Sequence, residues 1–530
     1  MPRINSNYCV FVTLFTQLTF FLPVALNVVA LNPTDATISQ FVNASFQHRW
    51  NRTGDNEEVG FIMSMAKSMI LVGGLVGAFT IKFMLQILSR QQNLTLLHVI
   101  FVVSSLLMSV ATKFGMSYEA LIVGRFLCGF SRGCGFTLVP LMIAETTSRK
   151  TIALYQAPTL AILQLGSAIS NFLGLPWVLG GEQTWPFFLA MPGFFSIVYL
   201  IASPMLPETI TYKILEEENV EVCVENQFAR PSFSLLKKLR AGNLSTVQTE
   251  YIDMKMEISA SLRSSQTSFW NVLMGENSRR QLFGAIVILT TLQSTGVQAV
   301  ALYTDTIFEE TGIPKNQATY YTIGMFVLMA LVLFASSPLL VQYGARKIIL
   351  VGLTGTAFSL VLLTVSLKTR SFCPDIMTKV SLTALILYSC FVSVGPMMCF
   401  MGFATEVTAQ LIRPSAMWIG GIVWNTMASA IVWSTPYVLQ AIHGYFYLVF
   451  VGLVVFDVLY IKFYVPSNTT ARYQIITNEP VENFEEVTPL LSSEIFRQEK
   501  TANYHAENSP SFRGKNKYYG SASSNCSLPN

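Results

Sequence analysis

Charge is what this sequence has least of. Only 12% of its 530 residues are Asp, Glu, Lys or Arg, where soluble domains carry about 25%. Mean hydropathy is +0.48, so most of the chain does not face water. Histidine is scarce as well: His48, His98, His443 and His505 are scattered, and none of the eight cysteines has metal-ligand spacing or belongs to a regular disulfide framework. No metal site is expected. A P-loop, an HExxH pair and a Ser-His-Asp arrangement are all missing, which excludes ATP-driven pumping and leaves an enzyme unsupported, with no cofactor implied. The net charge of +4 is small, and nothing points to a nucleic-acid partner.

What the chain has is apolar length. Crossing the hydrocarbon core takes about 20 mostly apolar residues, and twelve runs qualify: roughly 8–31, 61–88, 94–112, 119–144, 156–175, 187–206, 281–303, 318–341, 347–368, 380–404, 415–438 and 443–465. The first is longer than a secretory h-region and lacks a clean small-residue cleavage site, so it reads as a retained span. These runs predict an all-α integral membrane protein of twelve transmembrane helices in two six-helix bundles. The expected divisions are 1–206 for the first bundle, 207–280 for a charged middle loop, 281–465 for the second bundle and 466–530 for a polar, disordered tail.

Lys and Arg mark one face. Arg90, Arg149, Lys150, Arg346, Lys347 and Arg413, with the basic residues of the middle loop, fall on the same side, which by the positive-inside rule is cytosolic with both termini. Lys368, Arg370 and Lys379, between spans nine and ten, run against the rule. The opposite side holds two glycosylation sequons, at Asn43 and Asn51. The halves echo each other: a basic turn follows spans two and eight, and a glutamate followed by basic residues ends spans four and ten. Such a repeat points to two parallel bundles around a central path.

Span four carries unusual charge in "GRFLCGFSRGCGFTLVPLMIAETTSRK", residues 124–150. Arg125 and Glu145 are twenty apart, about 30 Å along a helix and one bilayer crossing. By spacing alone they are the two interfacial ends, free to snorkel. Arg132 lies two turns inside Arg125 and is either a cavity-lining charge or half of a structural ion pair. Lys67 and Lys82 in span two raise the same question. Gly73/Gly77 and Gly129/Gly133 are GxxxG steps expected to let helices approach closely.

The same stretch resembles the span-four signature of the sugar porters of the major facilitator superfamily, particularly the animal facilitative glucose transporters, at Gly124, Arg125, Gly129, Gly133, Pro140 and Glu145. "GPMMCFMGFATEVTAQLIRPSAM" is similar to the span-ten signature at Gly395, Pro396, Glu406, Arg413 and Pro414, and the likeness runs from about residue 20 to 476. It implies the major facilitator fold and transport of a small, sugar-like solute by alternating access. It also implies a substrate site at Gln293, Gln298, Tyr303, Gln164, Trp424 and Asn425, and a gating set of Arg125, Glu145, Arg346, Glu406 and Arg413.

Several positions depart from that pattern. Leu160 and Leu292 stand where the family has glutamines, Leu302 a tyrosine, Met329 an asparagine, Ser393 a glutamate, Met401 a tryptophan and Trp424 an asparagine. A pyranose needs a hydrogen bond for nearly every buried hydroxyl, and each one unmade costs about 1–3 kcal/mol. The departures therefore imply a modified site, and leave as alternatives a carrier of a non-sugar organic solute or a transport-inactive sensor or scaffold. Thr211, Gln342, Ser467 and Ile152 replace charged gate residues, which is expected to favour the inward-open state. Span one has no acid, so proton coupling is not implied. In the tail, "EEVTPLL" with Glu486, Leu490 and Leu491, and Tyr473-Gln-Ile-Ile, read as sorting signals for adaptors. They set an endosomal or lysosomal residence beside the plasma membrane.

Overall fold

The computed structural model describes residues 6–148, 151–156, 158–219, 230–240, 244–264, 276–370, 372–408 and 413–465. These fall within one compact unit, Met1–Ser467. The expected sorting signals at Tyr473, Glu486, Leu490 and Leu491 lie outside the described residues, as do Arg149 and Lys150.

Twelve helices answer to the twelve apolar runs. Spans one to six are Asn7–Val28, Asn56–Ile87, Arg90–Phe114, Tyr118–Thr146, Ile152–Gln156 continued by Pro158–Leu173, and Trp185–Ala202. Spans seven to twelve are Glu276–Ser294 continued by Val297–Glu310, Lys315–Tyr343, Ala345–Thr369, Pro374–Val407, Arg413–Ile442 and Phe446–Tyr464. Eleven contain a stretch long and apolar enough to cross a membrane, and Pro158–Leu173 is a shorter apolar helix. Local chemistry sets the ends. Ser89 caps span three in a capping box with Gln92, each side chain taking the other's backbone N–H at 3.1–3.2 Å. Span seven breaks at Gly296, whose φ of +77° suits a residue without a side chain. Span ten loosens into a π-turn at Ser393–Met397, around Pro396, which has no N–H to continue the ladder.

Contacts run both within and between two sets of six helices. Span two lies against span four, span one against spans five and six, and span three against spans four and six. In the second set, span nine packs on spans ten and twelve, and span seven on spans ten, eleven and twelve. The sets meet where span two touches span eleven and span five touches span eight. The GxxxG steps do the expected packing: a Cβ on Gly73 or Gly77 would strike the span-four backbone at Phe126 or Phe130, and one on Gly133 the carbonyl of Gly74.

Charges gather at the two ends. On one side Lys67 pairs with Asp35 at 2.5 Å, Arg49 with Glu119 at 2.6 Å and Arg52 with Glu58 at 2.9 Å. Lys67 is therefore a structural partner of the helix Asp35–Trp50. On the other side three helices of the middle segment, Ile210–Asn219, Pro231–Leu239 and Leu244–Ser264, share a small apolar core with Cys9 of span one. Arg240 fastens that core, bonding Glu250 at 2.9–3.1 Å and the span-four carbonyl of Thr146 at 2.8 Å. On this same side Met398–Val407 of span ten packs on Ile152–Gln156 of span five, so the two sets touch here.

Candidate functional site

The sequence-predicted substrate residues lie at the seam between the sets, but they do not form one polar ring. Gln293 is fully buried on span seven, just before the Gly296 break, and neither its Oε1 nor its Nε2 has a hydrogen-bond partner. Gln298 is half-buried just beyond the break. Tyr303 donates to the carbonyl of Val432 on span eleven at 3.3 Å. Gln164 of span five reaches across the seam and donates to Met397 Sδ of span ten at 3.5 Å. Asn425 of span eleven donates to its own helix, to the Gly421 carbonyl at 2.8 Å.

Positions that depart from the family pattern are buried in the apolar core. Leu160, Leu292, Met329, Met401 and Trp424 all belong to one contiguous cluster of buried apolar side chains, drawn from both sets of helices. Ser393, nearby in sequence to Met397 and Met398 of that cluster, is buried with an unpartnered Oγ. A separate side cavity of about 240 Å³ between spans one, five and eight, lined by Val10, Leu14, Tyr155, Pro158, Leu333 and Phe334 among others, holds none of the predicted site residues.

Arg132 sits where span four faces span eleven. Its guanidinium lies 5.5 Å from the ring centroids of both Phe136 and Trp424, which stack on each other at 5.0 Å. It is 3% exposed, and no described carboxylate forms an ion pair with it. Of the two readings the sequence left open, the structural ion pair is therefore absent among the described residues.

Two members of the expected gating set have their described partners within the first set of helices. Arg125 neither snorkels nor forms a salt bridge among the described residues. It is 1% exposed, and donates to the carbonyls of Asn27 in span one and Ala66 in span two. Gly129 and Gly133 draw spans two and four together, which buries the guanidinium before it can reach the interface. Glu145 does pair, with Arg90 at 3.3 Å, but both belong to the first set of helices. That pair joins the start of span three to the end of span four. Arg346 donates to the span-twelve carbonyls of Lys462 at 2.9 Å and Ile461 at 3.4 Å. The side chains of Glu406 and Arg413 lie outside the described residues.

Sequence reasoning missed three residues here. Arg90 served only as a marker of the cytosolic side, although its place after span two gave it reach to Glu145. Glu208 accepts the Gln91 N–H at 3.2 Å and so caps the start of span three. Asp457, a buried acid in span twelve, lies in an otherwise apolar run, with its Oδ2 buried and unpartnered among the described residues. Of the sequons, Asn51 ends its helix in an exposed left-handed turn, φ +52°, whereas Asn43 lies within the helix with its Oδ1 buried.

The chain matches the family model "Sugar (and other) transporter" over residues 26–475. It is 26% identical over 442 residues to solute carrier family 2, facilitated glucose transporter member 7, of Mus musculus, covering 83% of this chain and 84% of the relative. To member 9 of Homo sapiens it is 25% identical over 453 residues, 85% of this chain and 81% of the relative. In fold it is similar to the proton:xylose symporter XylE bound to 6-bromo-6-deoxy-D-glucose, at a TM-score of 0.72 and 16% identity, covering 87% of this chain and 97% of that one. An inward-open structure of XylE from E. coli gives a TM-score of 0.62.

Proposed function

From the premise that this chain belongs to the Sugar (and other) transporter family and has the major facilitator fold, we propose that it is a facilitative carrier of a small solute whose sugar site has been made largely apolar. The observation that carries this is that Leu160, Leu292, Met329, Met401 and Trp424, at positions where the resemblance implies other, mostly polar residues, are all buried in the apolar core. Relatives named as facilitated glucose transporters make hexose the first substrate class to test. Gln293, Gln298, Tyr303, Gln164 and Asn425 are the polar groups left to hold it.

Span one has no acid, which supports carriage without proton coupling. The basic face and the docked middle segment are cytosolic in this reading, with both termini, and the Asn51 sequon is outside. Residence is at the plasma membrane, with the dileucine signal at Glu486, Leu490 and Leu491 routing a share of the protein to endosomes through sorting adaptors. The apolar cluster also favours a second reading, a transport-inactive sensor that keeps the carrier frame.

Uptake of labelled hexose by cells stripped of their own hexose transporters separates the two. Saturable uptake with a high half-saturation concentration is expected of the carrier. Flat uptake at every concentration, with the protein at the cell surface, would overturn hexose carriage.

A further inference from the structure

Two cations of the first set of helices lie over tryptophans of span eleven. Arg132 stands 5.5 Å from the Trp424 ring centroid, and Lys82 of span two brings its Nζ to 4.3 Å from the Trp418 ring centroid. The closer of the two contacts is also the nearer to a helix end. Span two lies against span eleven at Gly74 and Asn425. Eight residues further along span two, and seven back along span eleven, stand Lys82 and Trp418, about two turns or 11–12 Å away. The two spans thus run antiparallel here. That direction leads to the end that carries Arg90 and Glu145, where spans five and ten also pack on each other.

An ammonium over an indole face is drawn to the ring's quadrupole, and tryptophan is the strongest of the aromatic partners. Lys82 and Trp418 are both half-buried, so the contact is partly withdrawn from water, which strengthens it. Trp418 also packs against a buried apolar cluster that comes, but for Val432, from the first set. Among the described residues no ion pair joins the two sets: each lies within the first set or within the middle segment.

We propose that Lys82 and Trp418 are a latch between the two halves at this end, and that the pair sets the balance between the form closed there and the form open there. A contact between halves exists only while they meet, so it favours the closed form and must break before a solute passes on that side. Lys82 acts on the carrier cycle in this way without touching the solute. The inference rests on the carrier reading, since a latch requires a seam that opens.

The test is the rate at which a maleimide labels Ile152→Cys in the purified full chain, over the rate of the same chain without that cysteine. Ile152 is buried where spans five and ten meet. Lys82→Met should raise the rate by about three- to thirtyfold. Lys82→Arg, which keeps a cation over the ring, should stay near the parent. In a chain that already carries Trp418→Leu, Lys82→Met should add nothing, as expected of a coupled pair. An unchanged rate in Lys82→Met, an equal rise in Lys82→Arg, or fully additive effects of the two substitutions overturns the proposal. So does ready labelling of the parent, which leaves no latch to break. If Trp418→Leu does not fold, the comparison of Lys82→Met with Lys82→Arg decides alone. Labelling needs no solute, so hexose uptake, measured separately, reports on the carrier reading whatever the labelling shows.

Discussion

Arg125 and Arg132 show how far one residue type can differ within one helix. They lie seven positions apart, about two turns, and both are almost fully buried. Replacing Arg125 by leucine removes the donors to the Asn27 and Ala66 carbonyls. It should destabilise the chain by about 1–3 kcal/mol for each bond lost, read as a lower melting temperature in detergent. Replacing Arg132 by leucine removes a charge with no ion pair among the described residues, and by the behaviour of buried charges the result should be neutral or stabilising. If the two variants fell together, Arg132 would be structural. The sequence showed that Arg132 stood apart from the family pattern, because a charge two turns from a span's end is conspicuous. It misjudged Arg125, because spacing along a helix says nothing about what a neighbouring helix covers.

At the scale of the element, glycine governs the contact between spans two and four. A Cβ on Gly133 would run into the Gly74 carbonyl, whereas one on Gly60, in the same span two, would meet nothing within 4 Å. Gly133→Ala should therefore push the helices apart and cost the protein much of its yield of folded monomer on size-exclusion chromatography. Gly60→Ala should leave that yield unchanged, or raise stability by about 0.5–1 kcal/mol through its better helix propensity. Span seven is a second case: Gly296 combines φ +77° with a Phe450 ring 2.9 Å from where its Cβ would be. Gly296→Ala should lower solute affinity along with thermal stability, since Gln293 and Gln298 flank the break. The twelve spans and both GxxxG contacts were legible, because lipid imposes length and closeness imposes small side chains. The three helices of the middle segment were not, since their apolar faces are short and their contacts with spans one and four, through Cys9 and Thr146, cross long sequence distances.

The whole molecule is a frame shared with its family. Its halves meet at spans two and eleven and at spans five and eight, and near the docked middle segment through the ends of spans five and ten. Arg90–Glu145 lies within one half, so Arg90→Ala should loosen that half while leaving the contact between spans five and ten in place. Cysteine probes on Ile152 and Met398 would then stay protected in the resting state. Ready labelling of both would show instead that the halves part there, as the lost gate charges implied. The pocket's departures were legible because a resemblance defines which positions matter.

The claim that the frame is an intact carrier with a sugar site made apolar is tested most directly by restoring the lost ligands. Labelled glucose uptake would be compared between the wild-type chain and Leu160→Gln/Leu292→Gln in a host without hexose transporters, at equal surface abundance. Two regained hydrogen bonds, at about 1–3 kcal/mol each, should lower the half-saturation concentration by about tenfold or more. A wild-type chain that already saturates at the same glucose concentration as the double variant would contradict the account.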